Sequence, residues 1–155
     1  YTAVRKISRG FVKKINGGNI RCLAPPRFIS IGQTNNNFSM VLQVADTCHS
    51  FLFSADIEGK SETEIAATFG ASLRSDVLKV PHHGSRSSTS PLFLGMVKPL
   101  LAVISCSLSS TLGHFPHREV LQRLKQGHYR WLGTARRGGI KIVSRPGALE
   151  IEVSQ

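Results

Sequence analysis

Two apolar segments of this chain of 155 residues end in side chains that are able to bind a metal ion. One segment runs from Phe51 to Asp56, and the other places His82 and His83 directly after Val80 and a proline. Each segment has the composition of a buried strand, and in open α/β sheets the functional site lies beyond the carboxyl ends of the strands. Carboxylate oxygens and neutral imidazole nitrogens bind zinc, manganese or iron(II). The pattern therefore predicts that Asp56 and the histidine pair meet at one metal site.

Each segment taken alone also has a simpler interpretation. An Asp at the end of a strand often caps a turn, and Asp56 is followed by Ile57, Glu58 and a glycine. The two histidines lie in a turn rich in Pro, Gly and Ser, where histidine is often a solvated loop residue. Because metal ligands occur in clusters, the two segments together favour a metal site more strongly than either one alone. Two plain turns remain the alternative.

Four further residues are candidates for substrate binding. Ser85 and Arg86 open a polar loop that leads to a predicted helix start at Ser90, where backbone N–H groups can bind an anion. His114 and His117 precede the last long helix, whose dipole keeps imidazole neutral and able to accept a hydrogen bond or bind metal. A plain polar loop and a capping loop are the respective alternatives.

The elements that must position these residues follow from apolar periodicity, caps and turn signals. Strands are expected at residues 11–15, 19–23, 40–44, 50–53, 77–80, 101–105, 129–132, 140–143 and 149–153. A capping box at residues 61–64 predicts the first helix, Ser90-Pro91 the second, and the stripe of residues 120, 121 and 124 the third. Strands that alternate with helices in the middle of the chain indicate an α/β domain.

The charge of the chain favours a polyanionic partner over a neutral substrate. Its 20 Lys and Arg against 9 Asp and Glu give a net charge of +11. Residues 1–45 hold seven basic and no acidic side chains, and so do residues 123–145. Such blocks can neutralise phosphates and release counterions, although a solvated basic surface is the simpler alternative. The three cysteines form no close pair, and no apolar run is long enough to span a membrane, so we expect this piece to be soluble.

An ordered set of motifs supports a more specific interpretation. They are an Asn-rich strand entry at residues 36–42, the strand ending in Ala55-Asp56, the run Val-Pro-His-His-Gly-Ser at residues 80–85, the apolar strand at residues 99–105, Gly-His-Phe-Pro-His at residues 113–117, and an expected hairpin over residues 134–142. Over roughly residues 20–143 the chain resembles the metallo-β-lactamase-like domain at the carboxyl end of the ComEC family, the membrane channels of bacterial DNA uptake.

The chain departs from this family pattern in three places. Ala55 stands where the family usually has glycine, and Phe115 is an extra residue, so either His114 or His117 fills the family's histidine position. The first metal motif of the fold has no counterpart among the six histidines. The resemblance therefore implies an αββα sandwich of which residues 1–155 are the carboxyl-terminal half, a single partial domain of a larger membrane protein.

The resemblance also implies an activity. The implied activity is that of a metal-dependent phosphodiesterase, in a nuclease-type domain that acts on DNA during uptake for natural transformation. Asp56 would bridge two zinc or manganese ions, His82 would complete one of them, and His83 with His114 or His117 would orient the ligands or the phosphate. The implied partners are DNA, the upstream half of the domain and a membrane channel, with the domain on the extracytoplasmic side of the inner or plasma membrane.

Two alternatives remain open from the sequence. One is a hydrolase of small phosphodiesters that uses the same site, and the other is a basic, non-catalytic module that guides DNA. Because the metal site is incomplete in this chain, we also expect these residues alone to be a poor enzyme.

Overall fold

The largest element of the fold is a mixed sheet of seven strands that lie side by side in chain order. The computed structural model describes residues 6–27, 35–107 and 115–154. The strands are β1 (Val12–Ile15), β2 (Gly18–Ala24), β3 (Val41–Asp46), β4 (Ser50–Phe53), β5 (Val77–Lys79), β6 (Leu101–Ile104) and β7 (Arg130–Gly133). Strands β1 to β4 pair antiparallel, and β4 to β7 pair parallel. The carboxyl ends of β4, β5, β6 and β7 therefore share one edge of the sheet, which we call the carboxyl edge.

Three helices connect the parallel strands. They are α1 (Gly59–Phe69) between β4 and β5, α2 (Pro91–Val97) between β5 and β6, and α3 (Arg118–Gln126) between β6 and β7. Connections between parallel strands are right-handed, and the strands follow one another in a single direction, so all three helices cover the same face of the sheet. Short 3-10 turns occur at Asn35–Phe38, Gly70–Leu73 and Pro81–Gly84.

The hydrophobic core lies between this helical layer and the sheet. Side chains of all three helices pack there against inward-facing strand residues, and both sets are buried: Ile65, Phe93, Leu94, Val120 and Leu124 from the helices, Leu52, Leu78, Ala102 and Ile104 from the strands. Burying one such large apolar side chain stabilises the fold by about 1.5–3 kcal/mol. The core thus fixes the strands whose carboxyl ends carry the candidate site.

The opposite face of the sheet is only partly covered. Strand β8 (Ile140–Arg145) pairs antiparallel with β9 (Ala148–Val153), and this hairpin brings Ile140 and Ile142 beside Phe51 and Val103 of the large sheet. Phe53 nevertheless remains 48% exposed. The α/β class predicted from the sequence is confirmed, and the full αββα sandwich stays a prediction.

Two details of the predicted elements are wrong. The capping box at residues 61–64 does not open α1, because the helix begins earlier, at Gly59, and Ser61 lies buried inside it and donates to the carbonyl of Asn37 at 3.1 Å. The expected hairpin at residues 134–142 is replaced by the short helix α4 (Thr134–Arg137), and the hairpin there pairs β8 with β9. Within the described ranges, none of the helices has the length and apolarity to span a bilayer.

Candidate metal and phosphate site

The turn that follows β5 holds His82 and His83 in an unusual backbone conformation. Both are left-handed, with φ of 46° and 54°, and Gly84 follows with φ of 84°. The N–H of His82 donates to the carbonyl of Ala55 at 3.0 Å, so the ends of β4 and β5 are joined directly before Asp56. Two non-glycine residues in this region cost about 1–3 kcal/mol each, and such strain concentrates at functional sites. The predicted convergence of the two strand ends is present.

Asp56 and His83 form the centre of the site. The Oδ1 atom of Asp56 lies 3.7 Å from Nε2 of His83. The other ring nitrogen of His83, Nδ1, lies 2.6 Å from the carbonyl oxygen of Ser105. A carbonyl oxygen can only accept, so Nδ1 carries the proton, and in the neutral imidazole Nε2 has a free lone pair. That lone pair and the Asp56 carboxylate are two electron-pair donors side by side, an arrangement that suits a cation between them.

This pair fits two ligands of one metal ion. Two donors bound at about 2.1 Å in tetrahedral geometry lie about 3.4 Å apart, close to the separation found here. Within residues 6–27, 35–107 and 115–154, however, no group of three or more His, Cys, Asp or Glu side chains is placed to hold an ion. The ammonium of Lys79 also lies 3.6 Å from Asp56 Oδ1, and burial lowers the pKa of Lys79 against the opposing effect of Asp56. Asp56 and His83 are therefore two of the donors that a metal ion would need.

His82, the metal ligand predicted from the sequence, faces a different carboxylate. Its Nδ1 lies 3.3 Å from Oε1 of Glu58, and this buried nitrogen makes no well-formed hydrogen bond with the described residues. The same Glu58 oxygen accepts from Ser87 Oγ at 3.2 Å and from Asn36 Nδ2 at 3.3 Å. A carboxylate beside Nδ1 orients a histidine and leaves Nε2 for a ligand. Glu58 is not among the residues predicted for the site, although its spacing of two residues from Asp56 indicates a second carboxylate at the same strand end.

His117 lies at the same edge and is held by the histidine turn. Its backbone N–H donates to the carbonyl of Gly84 at 2.9 Å, and its Nδ1 accepts from the N–H of Arg86 at 3.3 Å. The ring of Phe115 lies 5.0 Å from that of His117 and 6.0 Å from that of His82. Because Nδ1 of His117 is an acceptor, its neutral ring carries the proton on Nε2, which can donate to a phosphoryl oxygen.

Two of the remaining candidates occupy the loop before α2, and one lies outside the described residues. Ser85 is buried, with its Oγ 3.0 Å from that of Ser87. Arg86 is exposed and lies 4.0 Å from Glu119. His114 is the candidate outside the described ranges.

The anion position expected before α2 is filled by the protein itself. Buried Glu62 of α1 accepts the backbone N–H groups of Thr89 and Ser90, the latter at 2.8 Å. Arg123 donates to the carbonyl of Ser88 at 2.7 Å from the other side. Desolvation by burial raises the pKa of Glu62, and the bonds to the loop partly oppose that shift. The predicted cap of α2 is confirmed, because Ser90 Oγ accepts from the N–H of Phe93 at 3.3 Å.

The two basic stretches lie on opposite lateral sides of the sheet, one on the side of β1 and the other on the side of β7. The described part of the first stretch includes β1 and β2, and the second begins in α3 and continues through β7 to β8. Some of these charges are already paired, as Arg9 is with Glu64 at 2.7 Å. The stretches therefore do not form one continuous patch.

The chain that contains this site is similar in sequence to several bacterial proteins. No protein-family model matches the chain. It is 33% identical over 139 residues to ComE operon protein 3 of Bacillus subtilis, a match that covers 90% of this chain and 17% of that protein. It is 34% identical over 136 residues to Recombination protein 2 of Haemophilus influenzae, covering 88% of this chain and 16% of that protein.

A third relative is Competence protein ComA of Neisseria gonorrhoeae, which is 32% identical over 108 residues, 70% of this chain and 16% of that protein. The chain thus spans about one sixth of the length of the relatives it matches. These similarities support the assignment of the chain to a competence-related family of bacterial proteins.

Proposed function

We propose that the carboxyl edge is a metal-dependent phosphodiesterase site that acts on DNA during uptake. The observation that carries the proposal is the pairing of the Asp56 carboxylate with the lone pair of His83 Nε2 at 3.7 Å, in a strained turn at the carboxyl edge. The competence relatives support DNA uptake as the setting. The net charge of +11 supports a polyanionic substrate.

Each residue of the site has a role in this proposal. Asp56 and His83 would hold a zinc or manganese ion, and His82, oriented by Glu58, would offer Nε2 as a further ligand. The bound ion would act as a Lewis acid on a phosphoryl oxygen. His117 would donate from Nε2 to another oxygen of the phosphate, because its Nδ1 is engaged by Arg86.

The proposal extends to the setting that the family resemblance implies. The domain would belong to a membrane protein, act on the extracytoplasmic side and work beside a DNA channel. A second metal ion would need donors beyond Asp56 and the histidine pair, from residues such as His114 or from another segment of a longer protein. We therefore expect slow hydrolysis from these 155 residues alone.

Hydrolysis of end-labelled DNA with added manganese or zinc tests the function. The assay uses the chain alone and the chain extended by any segment that its gene encodes before Tyr1. We expect cleavage that stops with EDTA and with Asp56→Ala, and that persists with His49→Ala, because His49 is bonded to Ser144 away from the carboxyl edge. Cleavage that survives Asp56→Ala would refute the proposed site. Cleavage of small phosphodiesters alone would favour the small-substrate hydrolase.

A non-catalytic DNA-guiding module is the second candidate function. The observation that favours it is Lys79, whose ammonium lies 3.6 Å from Asp56 Oδ1, where a metal ion would otherwise balance the carboxylate. This module would bind DNA equally well with and without metal, and no form of the protein would cleave it.

A further inference from the structure

Helix α4 lies at the carboxyl edge, beside the histidine site. It follows β7, whose carboxyl end shares that edge with β5 and β6. The Oγ1 atom of Thr134, the first residue of α4, accepts from the N–H of Cys106 at 2.9 Å and donates to its carbonyl at 2.8 Å. Cys106 directly follows Ser105, whose carbonyl binds His83. A continuous series of contacts therefore connects α4 to the centre of the site.

Helix α4 carries two arginines that the described part of the protein leaves unpaired. Arg136 and Arg137 are exposed, and neither forms an ion pair with a described residue. Other cations of the same basic stretch are engaged, since Lys141 and Arg145 of β8 pair across the hairpin with acidic residues of β9. Arg130 begins β7 and so lies at the other end of the strand. The α4 arginines are thus the free charges of this stretch that are nearest the histidines.

The distance between α4 and the histidine turn can be spanned by a short segment of a nucleic-acid strand. Neighbouring strands are about 4.8 Å apart, so the ends of β5 and β7 are about 10 Å apart. The rise of stacked DNA is about 3.4 Å per nucleotide along the helix axis, and successive phosphates of one strand lie farther apart than this because they also turn around the axis. A phosphate at His83 therefore places another phosphate of the same strand, within about three nucleotides, near α4. A guanidinium binds such a phosphate through two parallel hydrogen bonds.

We propose that Arg136 and Arg137 bind the backbone of a DNA single strand whose reacting phosphate lies at the histidine turn. This inference rests on the proposed function and adds to it the extent of the substrate. A mononucleotide, with its single phosphate group, cannot occupy both places, so α4 selects for a strand over a mononucleotide. Double-stranded DNA is not required, because both contacts fall on one strand.

The test compares two double variants by fluorescence anisotropy with labelled single-stranded DNA in EDTA. Arg136→Gln with Arg137→Gln removes the α4 charges. Lys13→Gln with Lys14→Gln removes two exposed charges from β1, the outermost strand on the side of the sheet that is farthest from β7. Two lost phosphate contacts lower the slope of log affinity against log salt by about 1.4 and weaken binding about 25-fold at about 0.1 M salt. We expect these changes in the α4 variant and a much smaller change in the β1 variant.

Equal losses in the two variants would overturn the proposal, and so would an equal loss of affinity for a mononucleotide. Loss of binding to vesicles that contain phosphatidylserine, with DNA binding intact, would show that α4 faces a membrane instead. Asp56→Ala separates this proposal from the proposed function. It should leave binding in EDTA intact while abolishing cleavage, so DNA binding through α4 without any metal-dependent cleavage would refute only the proposed function.

Discussion

Replacement of Glu62 by alanine should destabilise the fold and release the loop that carries Ser85 and Arg86. Glu62 is fully buried, and its carboxylate accepts two backbone N–H groups of that loop, from Thr89 and Ser90. In Glu62→Ala both donors lose their partner. Each unsatisfied buried donor costs about 1–3 kcal/mol of unfolding free energy. Part of this cost is offset because the removed carboxylate no longer has to be desolvated. We therefore expect a net loss of about 3 kcal/mol in the free energy of unfolding.

Urea unfolding followed by circular dichroism measures this loss. For a chain of this length, about 3 kcal/mol corresponds to a drop in melting temperature of about 6–12 °C. Glu64→Ala is the matched control, because it removes a glutamate of the same helix that makes only a surface ion pair with Arg9. Such pairs contribute at most about 1 kcal/mol. A loss in Glu62→Ala no larger than in Glu64→Ala would refute the reasoning.

The same residue gives a pH dependence with a defined sign. Burial raises the pKa of Glu62 above its ordinary value of 4.5. A group whose pKa is higher in the folded state stabilises the fold fully below its unfolded pKa, and this contribution is lost as pH rises through the folded pKa. The stability of the unaltered protein relative to Glu62→Gln should therefore fall as pH rises from about 4.5. A difference that grows with pH would contradict this sign.

Two further predictions concern the backbone of the histidine turn and the strand end that it joins. Ala55→Gly should stabilise the protein by about 0.5–1 kcal/mol in urea unfolding, because Ala55 has φ of 45° and glycine adopts that conformation freely; a loss of stability would contradict this. Gly84→Ala should cost about 2–4 kcal/mol, since its φ is 84° and an added Cβ would lie 2.6 Å from Cβ of Pro116. Gly147→Ala is its control, with φ of 79° and no atom within 4 Å, and equal losses in the two variants would exclude a role for the contact with Pro116.

Local patterns of the sequence predict much of the fold because they report local physics. Alternating apolar residues identify strands such as β3, and a serine followed by proline identifies the start of α2. The start of α1 is different. Ser61 and Glu62 have the right types for a cap but lie inside the helix, where they bind the backbone of distant segments. Such long-range bonds leave no trace in local spacing.

The candidate site was predictable in its location and not in its pairings. Parallel strands bring Asp56 and the histidines to one edge, as their strand-end positions indicate. The partners of each histidine depend on the left-handed turn at His82 and His83, which directs one ring to Asp56 and the other to Glu58. Backbone conformation at a histidine pair cannot be read from residue types, so neither the role of Glu58 nor the proximity of Lys79 was foreseen.

Binding of manganese, followed through the electron paramagnetic resonance signal of the free ion, tests the central claim most directly. The claim is that Asp56, with the adjacent histidines, binds a divalent metal ion at the carboxyl edge. We expect the unaltered chain to bind manganese saturably, Asp56→Ala to weaken this binding at least about tenfold, and His49→Ala to leave it unchanged. The reason for the size of the effect is that removing a direct ligand should lower metal affinity at least as much as removing a residue that only orients a ligand. Absence of saturable binding, or equal affinity in Asp56→Ala, would contradict the account.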